Sequence, residues 1–283
     1  MYERDISRRD PGCVVFLLDR SDSMKQMWGN SGVTMAAGAA RAINETLLEL
    51  IFQSQVEPGK PRYYFDVGIF GYGLRPVAKG EGVETAFGGK LAGQPLVALP
   101  DLRDNAIAVR DMPSMDAGAP PSQMPIWVEP EAGHRTPMCE AVAVAGAHVY
   151  EWASAHPDSF PPIIINITDG MVTDSPYQGA DLDEWAKRLT SIQTSDGMAL
   201  LFNIFLSPNA TAQPLMFPAT DFALPPPGPD LFRISSMLPP PMIGNAHSAG
   251  ITVEPGARGF GFNADAANLV RFLEVGTKVD VRD

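Results

Sequence analysis

Short runs of consecutive apolar residues alternate along the chain with longer segments in which apolar residues recur every three or four positions. The runs at residues 13–18 (CVVFLL) and 163–168 (IIINIT) are rich in β-branched side chains. This composition predicts central strands that are covered on both faces. Residues 63–72 and 199–206 predict two further strands. The first two runs each end abruptly at an aspartate, Asp19 or Asp169.

Segments with helical spacing separate these strands at residues 33–52, 137–154, 182–192 and 264–275. Thr34 or Ser31 is suited to cap the first helix, and Pro137 is suited to the first turn of the second. Sustained alternation of strand and helix predicts an α/β fold with a Rossmann-like, open and mostly parallel central sheet and helices on both faces. A length of 283 residues fits one domain over residues 1–283.

Two regions show weaker patterns. Residues 74–130 are rich in Gly and Pro, and only 96–99 and 106–109 resemble strands, which predicts an edge strand with loops. Residues 207–260 form a proline-rich insertion, for which we expect ordered surface loops and one short helix at 231–237. The large apolar residues of this insertion favour a small satellite core beneath the loops.

Charge and composition narrow the range of partners. The 21 basic and 33 acidic residues give a net charge of −12, which disfavours binding to nucleic acid and to anionic membranes. No apolar run reaches the roughly 20 residues that span a bilayer, and the N-terminus is charged, so we expect a cytoplasmic protein. Cys13 and Cys139 fall at opposite ends of the first predicted strand, and we therefore expect two reduced, buried thiols.

The candidate chemistry lies directly after the first strand, where Asp19, Ser21 and Ser23 form a D-x-S-x-S pattern. One carboxylate and two hydroxyls supply hard oxygen ligands, which suit a hard cation better than zinc. Further ligands must come from other loops at the carboxyl edge of the sheet. Thr136, before a predicted helix, and Asp169, after a central strand, are placed to provide them. We expect one divalent cation there, with Mg²⁺ as the first choice and Mn²⁺ or Ca²⁺ as alternatives.

These residues resemble the metal-ion-dependent adhesion site of the von Willebrand factor A family. The resemblance implies that Ser21, Ser23 and Thr136 contact the metal directly, while Asp19 and Asp169 hold it directly or through water. It also implies a protein partner whose Glu or Asp completes the coordination, and no enzymatic activity. The contexts RTPMCEA and NITDGMVTD and the segment FNADAANLVRFLEVGTK are similar to bacterial intracellular members of tellurium-resistance and conflict systems. Such proteins are usually encoded beside kinases, phosphatases or ATPases.

A metal-dependent phosphoester hydrolase is the alternative, because oxygen-ligated Mg²⁺ at the edge of a parallel sheet also suits phosphoryl chemistry. The pattern offers no evident general acid or base, and Lys25 is the only cation near the motif to consider. We leave His134 out of the site, since a lone histidine beside hydroxyls more often makes a loop hydrogen bond. Asn166 begins an N-x-T glycosylation string, which we interpret as chance because it falls inside a predicted buried strand.

Overall fold

A computed structural model describes residues 1–57, 59–75, 82–112, 122–209, 211–222, 224–264 and 266–277. Within these residues the strands are β1 Gly12–Asp19, β2 Gln55–Glu57, β3 Lys60–Pro61, β4 Phe65–Tyr72, β5 Val83–Thr85, β6 Val97–Ala98, β7 Ala108–Met112, β8 Ser122–Ile126, β9 Ile163–Thr168, β10 Gln193–Thr194, β11 Gly197–Met198, β12 Leu200–Phe205, β13 Leu215–Met216 and β14 Phe260–Phe262. The α-helices are α1 Met35–Gln53, α2 Leu99–Asp104, α3 Met138–Ala155, α4 Leu182–Thr190, α5 Gly228–Ile234, α6 Pro240–Ser248 and α7 Ala266–Thr277.

The main sheet has the strand order β13-β14-β12-β9-β1-β4-β5, and β6 also pairs with β4. The central strands β14, β12, β9, β1 and β4 are mutually parallel. The outer strands β13, β5 and β6 run antiparallel. The predicted α/β class with an open, mostly parallel sheet is therefore confirmed, and the carboxyl ends of β1 and β9 lie side by side.

Helices cover both faces of this sheet, because each central strand is apolar on both sides. On β1, Phe16 and Leu18 belong to one core with residues of α1 and α7, while Val15 and Leu17 belong to a second core with residues of α3, α4 and α5. Thr34 caps α1, and its side chain accepts a hydrogen bond from the amide of Ala37 at 3.2 Å.

The region 74–130 contains more secondary structure than expected. Strand β6 is shorter than the predicted strand at 96–99, because the chain turns into α2 at Leu99, with Pro100 in the first helical turn. The strand predicted at 106–109 is part of a hairpin, β7 and β8, that lies outside the main sheet. The predicted loops at 76–81 and 113–121 lie outside the described residues.

The proline-rich region also differs from the sequence prediction. The helix expected at 231–237 begins earlier, as α5 at Gly228, and α6 begins at Pro240, within the PPP sequence at 239–241, where the sequence predicts surface loops. That prediction was wrong because proline is favoured in the first turn of a helix, where its missing N–H is not needed. Phe217 and Phe232 are buried, but they join the two main cores on either face of the sheet instead of forming the expected satellite core, and Phe222 is 85% exposed.

Two further expectations concern buried groups and membrane spans. Cys13 and Cys139 are both buried and free, as expected. Asn166 is buried within β9, which leaves no access for glycosylation in the folded protein. Among the helices in the described part of the chain, none is both long enough and apolar enough to cross a membrane.

Candidate metal centre

The candidate ligands are delivered to one edge of the sheet by parallel pairing. Asp19 is the last residue of β1, and Asp169 directly follows Thr168, the last residue of the neighbouring strand β9. Leu18 of β1 pairs with Ile167 of β9, so both strands end at the same level. Thr136 reaches this edge from the segment that leads into α3.

The D-x-S-x-S loop is folded tightly by its own hydrogen bonds. The amide of Ser21 donates to Asp19 Oδ1 at 2.8 Å, and the hydroxyls of Ser21 and Ser23 lie 3.0 Å apart. The loop continues into a single 3₁₀ turn over Asp22–Lys25, which is anchored by the buried side chain of Met24. This turn directs Ser23 back toward the sheet, where its hydroxyl donates to Asp169 Oδ1 at 2.8 Å.

Gly170 marks the space that the candidate ligands share. A methyl group placed on Gly170 would lie 3.4 Å from Thr136 Oγ1 and 3.8 Å from both Asp19 Oδ2 and Ser23 Oγ. Oxygen atoms from two separate segments, the D-x-S-x-S loop and the segment before α3, therefore border one small space beside this glycine. Asp19, Ser21, Ser23, Thr136 and Asp169 all meet at this edge, as the sequence predicts for metal ligands.

The charges in this space favour a cation. Asp19 is fully buried, and desolvation raises the pKa of its carboxyl from 3.8 to about 7, against hydrogen bonds from Thr168 and Ser21 that lower the pKa. Burial also raises the pKa of Asp169. A divalent cation would stabilise both carboxylates in their charged form. The residues present, hydroxyls and two carboxylates, fit Mg²⁺ or Mn²⁺ by ligand type.

The nearest buried cation points away from this space. The guanidinium of Arg20 lies 2.7 Å from Glu131 Oε2 and 3.6 Å from Glu84 Oε1, and its side chain is 3% exposed. It packs over Gly71 of β4, where a Cβ atom would lie only 2.8 Å from the Arg20 side chain. Arg20 thus links the D-x-S-x-S loop to the neighbouring loops, and its charge is balanced by Glu131 and Glu84.

Three polar residues that sequence reasoning did not single out support the ligands. Thr168 donates its hydroxyl to Asp19 Oδ2 at 2.6 Å. Thr173 exchanges hydrogen bonds with the backbone of Thr136, at 2.9 and 3.1 Å. Asp174 accepts from the first amides of α3, those of Cys139 at 3.0 Å and Glu140 at 2.8 Å. The sequence signal that could have identified these three residues is the string TDGMVTD at 168–174, which begins at the end of β9. Its polar side chains connect the Asp169 loop to the beginning of α3.

Other residues near the motif make different contacts. Asp22 is exposed and binds Lys25 at 2.6 Å, so neither side chain belongs to the ligand group. His134 contributes its carbonyl to the amide of Asp22 and its own amide to Gly73, which agrees with leaving its ring out of the site. Among the described residues, no three side chains of His, Cys, Asp or Glu converge as a metal cluster. Metal binding here would therefore depend on hydroxyl ligands as well as on two carboxylates.

Comparisons with known proteins give partial structural likenesses. No protein-family model and no curated protein matches the chain. The crystal structure of the pilus adhesin SpaC from Lactobacillus rhamnosus GG is 13% identical, with a TM-score of 0.40, and the match covers 69% of this chain and 24% of that one. The human COPII-coat protein Sec24c is 12% identical, with a TM-score of 0.31 and coverage of 69% and 26%. The chain thus spans about a quarter of each of these proteins.

Proposed function

We propose that this chain is a von Willebrand factor A-type, metal-dependent protein-interaction domain without catalytic activity. One observation carries the proposal: oxygen atoms of Asp19 and Ser23 in the D-x-S-x-S loop and of Thr136 in a separate segment border one space beside Gly170. Ser21, Ser23 and Thr136 would contact a divalent cation, while Asp19 and Asp169 would hold it directly or through water. The cation would supply a concentrated positive charge at the carboxyl edge of the sheet.

The partner would present an acidic side chain. Asp19 and Ser21 are buried beneath the site, whereas Ser23, Asp169 and Gly170 are partly exposed, so the space opens to solvent on one side. A carboxylate from a Glu or Asp of another protein is a hard anionic ligand that suits a cation held in this way. Met171, which is 67% exposed next to Gly170, would add apolar contact area at the rim. A role in a bacterial stress or defence assembly, with a kinase, phosphatase or ATPase as partner, rests on the sequence resemblance alone.

No specific observation on the described residues supports the hydrolase alternative. Lys25, the cation considered from the sequence, is exposed and held by Asp22 at 2.6 Å. The side chain of Arg20 is held by Glu131 and Glu84. A general acid would need to lie within hydrogen-bond reach of a substrate at the cation. The described residues therefore favour binding over phosphoester hydrolysis.

Capture of a partner from an extract of the source cell tests this function. We expect wild-type protein to retain a partner in Mg²⁺ and release it in EDTA, and Asp19→Asn to retain none in either buffer. Asp22→Asn is the matched control, since it removes the same charge from the same loop without touching the ligand group. Capture that is equal for all three proteins with and without Mg²⁺ would contradict the proposal, as would Mg²⁺-dependent phosphoester turnover that Asp19→Asn abolishes.

A further inference from the structure

A continuous chain of buried side-chain hydrogen bonds crosses the sheet next to the candidate site. The hydroxyl of Tyr72 donates to Asn166 Oδ1 at 2.8 Å, and Asn166 Nδ2 donates to Asn203 Oδ1 at 3.0 Å. Asn203 Nδ2 donates to Ser235 Oγ at 3.0 Å, and Ser235 Oγ donates to the carbonyl of Leu231 at 2.7 Å. The contacts thus run from β4 through β9 and β12 to the end of α5.

Thr168 and Tyr72 bring the candidate ligand Asp19 next to this chain. The hydroxyl of Thr168 donates to Asp19 Oδ2 at 2.6 Å, and Thr168 lies two residues beyond Asn166 on the same face of β9. Asp19 pairs with Tyr72 across β1 and β4, and Asn166 pairs with Asn203 across β9 and β12. These side chains therefore lie in one row on the face of the sheet that α3, α4 and α5 cover. We call Tyr72, Asn166, Asn203 and Ser235 the buried hydrogen-bond chain, which begins beside Asp19 and Thr168.

The burial of these groups makes the arrangement costly to disturb. Tyr72, Thr168 and Asn203 have no exposed surface, and Asn166 and Ser235 are each 1% exposed. Groups buried this deeply cannot readily replace a lost hydrogen-bond partner with water. A shift of one group must therefore be matched by its neighbours. An apolar residue at Asn166 or Asn203 would suit these otherwise apolar strands, and the polar choice at both positions calls for a role beyond packing.

The far end of the chain reaches the molecular surface at α5. Ser235 follows α5, and its carbonyl accepts a hydrogen bond from the guanidinium of Arg258. Arg233, in the last turn of α5, binds Asp183 of α4 through two nitrogen atoms, at 2.6 and 3.0 Å. A change in the position or stability of α5 would therefore alter a charged surface that is separate from the metal edge.

We propose that the buried hydrogen-bond chain couples the metal site to α5, so that a cation at Asp19 stabilises residues 228–238 and a change at Ser235 alters the affinity for the cation. The inference rests on the proposed function, because it requires a cation at Asp19. Linkage makes the two effects reciprocal, since any coupling free energy acts equally on both ends.

Amide hydrogen exchange with and without Mg²⁺ tests this coupling in the full chain. We expect Mg²⁺ to slow exchange in residues 228–238 of the wild-type protein by about threefold or more. Tyr72→Phe, which removes one hydroxyl from the chain, should abolish that response and weaken Mg²⁺ binding by roughly threefold to tenfold. Ser235→Ala should weaken Mg²⁺ binding in the same direction, although it changes no ligand.

Tyr63→Phe is the matched control, because Tyr63 also donates its hydroxyl to a side chain, Asp66 at 2.6 Å, but at the opposite end of β4. It should keep both the wild-type Mg²⁺ affinity and the response of α5. Wild-type protein that binds Mg²⁺ without any change in exchange at 228–238 would overturn the coupling and leave the proposed function intact. Equal responses in Tyr72→Phe and wild type would overturn it too. Wild-type protein that binds neither Mg²⁺ nor Mn²⁺ would overturn both proposals.

Discussion

Asp19→Asn should stabilise the metal-free protein and at the same time remove its response to Mg²⁺. In the absence of metal, Asp19 is a fully buried carboxylate that receives hydrogen bonds from the Ser21 amide and the Thr168 hydroxyl, and among the described residues the adjacent Arg20 pairs with Glu131 and Glu84 instead. An asparagine has nearly the same shape and can keep both contacts, since the Thr168 hydroxyl can also accept. The substitution therefore removes the cost of a buried charge without leaving a cavity.

The raised pKa of Asp19 gives the size of this effect. A shift from 3.8 to about 7 corresponds to about 4 kcal/mol of lost stability at pH 8, at about 1.4 kcal/mol per pH unit. We treat this value as an upper limit for the gain from Asp19→Asn in EDTA. For a chain of this size, about 2 °C in Tm accompanies each kcal/mol, so the variant should melt up to roughly 8 °C higher.

Urea denaturation in EDTA at pH 8 and pH 5, repeated in Mg²⁺ at pH 8, measures the effect. The pKa of Asp19 is raised in the folded state, so the folded protein binds a proton as pH falls through about 7. Wild-type stability then recovers relative to the variant, and the difference should shrink from about 4 to under about 2 kcal/mol at pH 5. At a Mg²⁺ concentration a hundredfold above Kd, the wild-type protein should gain about 2.7 kcal/mol, and the variant nothing.

Two results would refute this reasoning. If Asp19→Asn is less stable than wild type in EDTA at pH 8, the buried carboxylate is not a net cost in the absence of metal. If the variant and the wild type gain the same stability from Mg²⁺, the cation binds elsewhere. Asp22→Asn, at an exposed position in the same loop, should change neither quantity appreciably.

Further predictions concern the surroundings of the site. Gly170→Ala should weaken Mg²⁺ binding at least tenfold in calorimetric titration, because its methyl group enters the shared space. Its stability in EDTA should stay within about 1 kcal/mol of wild type. Unchanged Mg²⁺ affinity would contradict the placement of the cation in this space. Arg20→Met should cost about 1 to 3 kcal/mol in urea denaturation, since Glu131 and Glu84 lose a buried partner but remain partly hydrated; a more stable variant would contradict this. Asp174→Ala should lower the free energy of unfolding by about 1 to 2 kcal/mol, because the first amides of α3 lose their acceptor, and it should also weaken Mg²⁺ binding. Lower stability with unchanged Mg²⁺ affinity would show that Asp174 caps α3 without supporting the site.

Apolar patterning was sufficient for the parts of the fold that position the site. The buried strands β1 and β9 are dominated by apolar residues, and the aspartates that follow these apolar runs mark the edge where the strands end. Pattern was not sufficient for short elements such as β5 and β13. Each of these spans two or three residues and owes its conformation to pairing with a strand that is distant in sequence, so no local periodicity records it.

The candidate ligands could be found from residue type and position, but their supports could not. Thr168, Asn166 and Asn203 lie inside strands, where a single polar residue can equally be an isolated, satisfied core group. Their connection depends on the registers of β9 with β12 and of β1 with β4 and β9, which bring residues far apart in sequence into one row. Only the assembled sheet shows that Asn166 and Asn203 are hydrogen-bonded to each other and that Thr168 donates to Asp19 beside them.

Titration with Mn²⁺, followed by the loss of the free-ion electron paramagnetic resonance signal, tests the central claim most directly. We predict that wild-type protein binds one Mn²⁺ that excess Mg²⁺ displaces, that Asp22→Asn does the same, and that Asp19→Asn binds none at matched concentrations. The absence of Mn²⁺ binding by wild-type protein, or equal binding by Asp19→Asn, would contradict the assignment of these oxygen atoms to a metal centre.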